Sequence, residues 1–220
     1  MKLFDFVNYS IWISALVGIY FYPKLEPKSL QLWVVFVVGV IFVEMVLPQL
    51  IFIDEKHYYQ RLYTIIRPIE YLIIAYCYFD LSSSRELKIK LIKISTIVYF
   101  LYSFFQLVTS YNDKFLGNNT SIVSYTLFII LTVIYYQELL VSNEIIQLHK
   151  SPLFIYSIGI FIFCCGNVIV TGFYLKIAQQ DKEIARTLYR FMNYGLLIIK
   201  SISLVIAFYV ANKNYKLKHE

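Results

Sequence analysis

Residues 153–175 read LFIYSIGIFIFCCGNVIVTGFYL. No charged side chain interrupts the stretch. As a helix it extends about 34 Å at ~1.5 Å per residue, and the hydrocarbon core of a bilayer is about 30 Å thick. Lipid offers no hydrogen bonds, so a segment crossing it must satisfy its backbone groups internally, which a helix does. The stretch therefore reads as a transmembrane helix.

Six more segments of similar character lie along the chain, at about 4–22, 31–53, 58–79, 90–109, 122–142 and 190–211. Polar or Pro- and Gly-bearing breaks separate them: PKLEPKS (23–29), DEKHYYQR (54–61), DLSSSRELKIK (80–90), YNDKFLGNNT (111–120), SNEIIQLHKSP (142–152) and QQDKEIAR (179–186). Alternation at period two, the mark of a membrane strand, is not visible. The bulk agrees. Of 220 residues 59% are hydrophobic and only 15% charged, against about 25% charged in soluble domains. The predicted fold is all-α, a polytopic seven-transmembrane-helix bundle forming one transmembrane domain over 1–220. The first segment follows Lys2 and Asp5 and reads as a true span, not a cleaved leader.

The net charge of +6 does not point to nucleic acid, because most basic residues flank apolar segments where lipid headgroups lie. With the N-terminus outside, ten basic residues fall inside (Lys24, Lys28, Arg85, Lys88, Lys90, Lys93, Lys150, Lys213, Lys216, Lys218). Eight fall outside (Lys2, Lys56, Arg61, Lys114, Lys176, Lys182, Arg186, Arg190). The 80–93 loop and the tail concentrate the inner charge, so an N-outside, C-inside chain in a bacterial inner membrane is expected. Cys77, Cys164 and Cys165 lie in apolar segments with no metal-ligand or disulfide spacing. NNTS at 118–121 holds two overlapping N-x-S/T triplets on an expected outer loop.

One span holds an ammonium group: GLLIIKSISL, residues 195–204, contains Lys200. It has company. Glu44 falls in span two, Arg67 and Glu70 in span three, and Asn167 in span six. Counted from the predicted outer ends, their depths differ by only about 6 Å at ~1.5 Å per residue. An ionised group at mid-bilayer costs at least about 2.5–3.5 kcal/mol, so such residues face inward and pair. Arg67 and Glu70, at i and i+3, share a face. Asn193, Lys200 and Ser203 share a stripe of span seven. Pro48, four residues after Glu44, is expected to kink span two, and Pro68 to free the Thr64 carbonyl. The expected site is Glu44, Arg67, Glu70, Asn167, Asn193, Lys200 and Ser203, with Lys200 the partner of Glu70 or Glu44. Such a layer can line a ligand site or simply hold a bundle together. Gln49, Gln106 and Gln137, near span ends, read as headgroup contacts. Gly159, Gly166 and Gly172 read as close-contact glycines, and terminal Tyr and Trp as belt residues.

Two resemblances follow. Lys200 in the last span and RPIEY at 67–71 resemble the retinal lysine and the Arg-x-x-acid pattern of microbial rhodopsins. That likeness implies retinal on Lys200, Glu70 as counterion and Arg67 as an electrostatic gate. The sequence departs from the family at Leu196, where an acid or hydroxyl is usual. It departs again in FIYSIGIFIFCCGN, which lacks the Trp-x-x-Tyr-Pro wall, and the only tryptophans are Trp12 and Trp33. Along nearly its whole length the chain also resembles small uncharacterised seven-helix proteins of Bacteroidota, through IEYLIIAYCYF, VIYYQELL and the SPLF…IGIFIFCCGN opening of span six. That likeness implies a sensory role.

Three functions stay open: a receptor-like signalling subunit, a retinal-binding photoreceptor or proton mover, and a small transporter or lipid-modifying enzyme. No HExxH, GxSxG or acidic metal motif supports an enzyme. Expected partners are the lipid bilayer and a cytoplasmic signalling protein at the 80–93 loop or the C-terminal tail.

Overall fold

The computed structural model describes residues 3–26, 28–46, 55–81, 86–109, 116–141 and 148–219. They form seven helices: α1 (Leu3–Phe21), α2 (Ser29–Ile41), α3 (Glu55–Leu81), α4 (Glu86–Thr109), α5 (Leu116–Val141), α6 (Pro152–Ile177) and α7 (Lys182–His219). Short 3-10 turns lie at Tyr22–Lys24 and 148–150, and α2 ends in a π turn at Phe42–Val46. There is no strand among the described residues. The all-α expectation holds.

Four stretches are long and apolar enough to cross a membrane: Ile92–Thr109, Thr120–Leu140, Pro152–Tyr174 and Glu183–Lys218. The exposed faces have the same character. In α4 the exposed side chains include Ile94, Ile97, Val98, Leu101, Phe104, Phe105 and Val108, whereas Tyr99 and Ser103 are buried. Water would penalise a contiguous apolar surface of that kind, and hydrocarbon does not. The chain is an integral membrane protein by that pattern.

Several boundaries differ from the sequence reading, for one reason. Hydropathy marks where lipid begins, but helical hydrogen bonds continue into the polar interface. The predicted 80–93 loop is helical from Glu86, so Lys88, Lys90 and Lys93 ride on the first turns of α4. NNTS, expected on a loop, falls in the first turns of α5. The predicted 179–186 break is only a tight turn, because Asp181 caps α7: its Oδ1 accepts from the Glu183 and Ile184 N–H groups at 2.8 and 3.1 Å. The resulting 38-residue helix is about 57 Å long at ~1.5 Å per residue. Pro48 and Gln49 lie outside the described residues. The π turn just before them falls where Pro48 has no N–H to give the Glu44 carbonyl.

The chain divides into two compact units, residues 1–34 with 139–220, and 35–138. In the first, α6 and α7 form an antiparallel hairpin joined through 178–181. Two glycines let them approach. A Cβ on Gly159 would run into the Ser203 side chain, and one on Gly166 would lie 2.5 Å from Leu196 Cδ2. Gly172, read as a third contact glycine, has nothing within 4 Å of that position. At the start of α6, the Ser151 hydroxyl accepts from Phe154 N–H at 3.3 Å, with Pro152 in the first turn. α1 packs on α7 at Gly18, where a Cβ would sit 2.9 Å from Phe208 Cε2. Trp33, at the start of α2, meets Tyr156 edge to face at 4.8 Å. At the C-terminal end of α7, Asn214 Nδ2 donates to the Lys150 carbonyl at 2.7 Å and Lys218 pairs with Glu26 at 3.2 Å.

In the second unit α3 and α5 run parallel in constant register: Tyr71 lies beside Phe128 (5.6 Å) and Tyr78 stacks on Tyr135 (4.6 Å). The Tyr78 and Thr132 hydroxyls share a hydrogen bond at 3.3 Å. α4 runs antiparallel to both. It is tied to α3 by Tyr71 and Ser95 (2.7 Å) and to α5 by Tyr99, which donates to the Thr120 carbonyl at 3.1 Å.

Candidate functional site

The polar residues of the second unit converge around Arg67. One helical turn brings Glu70 beneath it, and Arg67 Nη1 donates to Glu70 Oε2 at 2.5 Å. The side chains are 13% and 2% exposed. Arg67 Nη2 donates to the Tyr125 hydroxyl at 3.2 Å. The guanidinium also lies over the rings of Tyr63 (5.5 Å) and Tyr125 (5.3 Å). Each such contact adds about 0.5–2 kcal/mol where water is excluded. The Tyr63 hydroxyl donates to the Glu44 carboxylate, which stands on the π turn after α2. Pro68 lies inside α3 without ending it. It has no N–H to give the Thr64 carbonyl.

Buried hydroxyls gather beside the pair at Tyr99. Tyr99, Ser103, Thr120 and Ser124 are all buried. The Ser103 and Ser124 hydroxyls lie beside the Tyr99 hydroxyl. Both are hydrogen-bonded to it, while Arg67 Nε and Gln106 Oε1 have no hydrogen-bond partner among the described residues. Gln106, expected at the headgroups, has its amide oxygen buried instead. It lies on the inner stripe of α4, at i+7 from Tyr99.

The remaining expected residues belong to the first unit. Lys200 Nζ stands over the Phe163 ring at 4.9 Å. Asn167 is fully buried, its Nδ2 donating to the Phe163 carbonyl at 2.9 Å and its Oδ1 unpartnered among the described residues. The Ser203 hydroxyl donates to the Ile199 carbonyl at 2.8 Å and packs where Gly159 makes room. Asn193 is half-buried. The structure thus brings Arg67 and Glu70 together with Tyr63 and Glu44, and sets Lys200 near Asn167 through Phe163.

α6 and α7 touch on both sides of Lys200, at Gly159–Ser203 and at Gly166–Leu196.

Sequence reasoning missed Tyr63, Tyr99, Ser103, Thr120, Ser124 and Tyr125. A signal for part of the set was present. Ser95, Tyr99, Ser103 and Gln106 recur at helical spacing in α4, as do Thr120 and Ser124 in α5, on faces opposite the apolar ones. Tyr125, near a span end where tyrosines read as belt residues, is buried.

No protein-family model, curated protein or solved structure matches the chain.

Proposed function

We propose that the chain crosses a bacterial inner membrane seven times, N-terminus outside and C-terminus inside, and serves as a receptor-like signalling subunit that takes a small polar ligand at Arg67 and Glu70. One observation carries this reading: a buried ion pair is ringed by hydroxyls from three helices, and Arg67 Nε makes no hydrogen bond among the described residues. A network that only fastened helices together would gain by closing its bonds, since each unsatisfied buried group costs about 1–3 kcal/mol. Unsatisfied donors and acceptors around a charge are what a polar ligand requires.

Orientation is supported by the first unit. The contacts of Asn214 with Lys150 and of Lys218 with Glu26 gather Lys24, Lys28, Lys150, Lys213, Lys216 and Lys218 at one end, all exposed. Such an end favours the cytoplasmic leaflet. Output would pass to a partner at the basic start of α4 or the basic end of α7.

The test is a thermal-midpoint screen of purified protein against small water-soluble polar compounds, run in parallel on Ser124→Ala. A compound that raises the midpoint of the wild type but not of the variant supports the site. If no compound shifts the wild type, or every shift survives in the variant, the reading is wrong.

A further inference from the structure

The hairpin of α6 and α7 is staggered at one end. Ser203 faces Gly159 and Leu196 faces Gly166, which fixes the register and sets Val210 level with Pro152, the first residue of α6. The rest of α7, as far as His219, runs about 13 Å past that level at ~1.5 Å per residue. This extension is held in place. Asn214 ties it to the 148–150 turn through the Lys150 carbonyl, and Lys218 ties it to Glu26 after α1. Its inner face, at Ala211 and Asn212, is buried. The two contacts draw three segments far apart in the chain to one end of the first unit. Each brings ammonium groups: Lys24 and Lys28, then Lys150, then Lys213, Lys216 and Lys218, all exposed. Glu26 pairs with Lys218, and the other five lysines make no ion pair among the described residues. The opposite end of the hairpin mixes the signs: exposed Lys176, Arg186 and Arg190 stand with exposed Asp181 and Glu183.

We infer that this end of the first unit is a docking surface for anionic phospholipid headgroups, formed jointly by the 22–28 segment, the 148–150 turn and the end of α7. Depth selects the partner. The membrane-crossing stretch of α6 begins at Pro152, so hydrocarbon ends near that level, and the headgroup layer adds about 5–7 Å on each side. Lys213 lies about 4 Å and Lys216 about 9 Å beyond Val210 at ~1.5 Å per residue. A lysine stem bends along an apolar surface while its head stays in the polar layer, so both ammonium groups reach the phosphates. Tyr209, one turn before Lys213 on the same face, is exposed where an interfacial tyrosine belongs. Charge selects the lipid. Each cation close to a bilayer surface favours an anionic leaflet about fivefold. The five free cations are all lysines, mobile point charges that follow phosphates packed in a fluid layer. The surface belongs to the first unit and the Arg67–Glu70 pair to the second, and lipid docks in whichever leaflet this end faces.

Spin-labelled lipids read the preference directly. The full chain is reconstituted in zwitterionic bilayers carrying a trace of spin-labelled phosphatidylglycerol or spin-labelled phosphatidylcholine, and electron spin resonance separates lipid slowed at the protein from free lipid. The anionic label is expected to be held severalfold more strongly than the zwitterionic one. Lys24→Gln with Lys28→Gln, and Lys213→Gln with Lys216→Gln, should each lower that preference. Lys176→Gln with Arg186→Gln, at the opposite end of the hairpin, should leave most of it. All of these side chains are exposed, and surface changes of that kind leave stability nearly untouched. Equal holding of the two labels by the wild type overturns lipid docking and leaves the surface to an acidic partner protein. A preference lowered by only one of the two lysine pairs, or lowered as much by the control pair, overturns the joint surface.

Discussion

Replacing Glu70 with Gln removes the negative half of the buried pair and keeps its shape. The guanidinium of Arg67 is then left in a low-dielectric interior with Glu70 gone from 2.5 Å away. Breaking a buried pair on one side costs about 3–5 kcal/mol. Part of that is recovered. The Gln amide oxygen still accepts a hydrogen bond worth about 1 kcal/mol, and the two tyrosine rings and the Tyr125 hydroxyl stay in place. A net loss of about 2–4 kcal/mol is expected. The double variant Arg67→Met with Glu70→Gln removes both charges, so it should be less destabilised than the sum of the two single changes, with a coupling above about 1 kcal/mol. Cys77 and Cys164 are buried thiols outside any disulfide, so unfolding can be followed in detergent by their reaction with a fluorogenic maleimide. Denaturant titration of the four proteins then closes the cycle. A loss below about 0.5 kcal/mol for Glu70→Gln, the range of ordinary surface changes, or additive effects in the cycle, would refute the claim that the two side chains form one desolvated unit.

Three further outcomes follow from named contacts. Gly159→Ala should destabilise by about 1–3 kcal/mol through overpacking against Ser203, with Ser203→Gly restoring much of it, whereas Gly172→Ala should be tolerated; thermal midpoints of the three variants decide this. Addition of all-trans retinal should yield no visible absorption band if the chain is a receptor for a polar ligand, and a band lost in Lys200→Ala would establish a retinylidene protein instead. A reporter fused after Glu220 should be active only in its cytoplasmic form, and one that works outside would reverse the assigned orientation.

The membrane character of the chain was legible in its sequence. A run such as 153–175 has one stable way to sit in lipid, and hydropathy counts the apolar atoms that decide it. The same count located the seven helices to within a few residues where an apolar edge is sharp, as at α1 and α6. It failed where a polar segment stays helical, because Asp181 and the backbone ladder of α7 are indifferent to hydropathy. Arg67 and Glu70 could be paired from their spacing, since i and i+3 lie on one helical face whatever surrounds them. Tyr99, Ser103, Ser124 and Tyr125 could not be assigned to that pair from their positions in the chain. A tyrosine or serine costs little at an interface or in an interior, so its sequence position carries almost no energy signal. What placed them around Arg67 is the packing of α4 and α5 against α3, set by contacts such as Tyr71 on Phe128 and Tyr99 on the Thr120 carbonyl. Those contacts join residues far apart in the chain, and only the folded structure brings them within reach of one another.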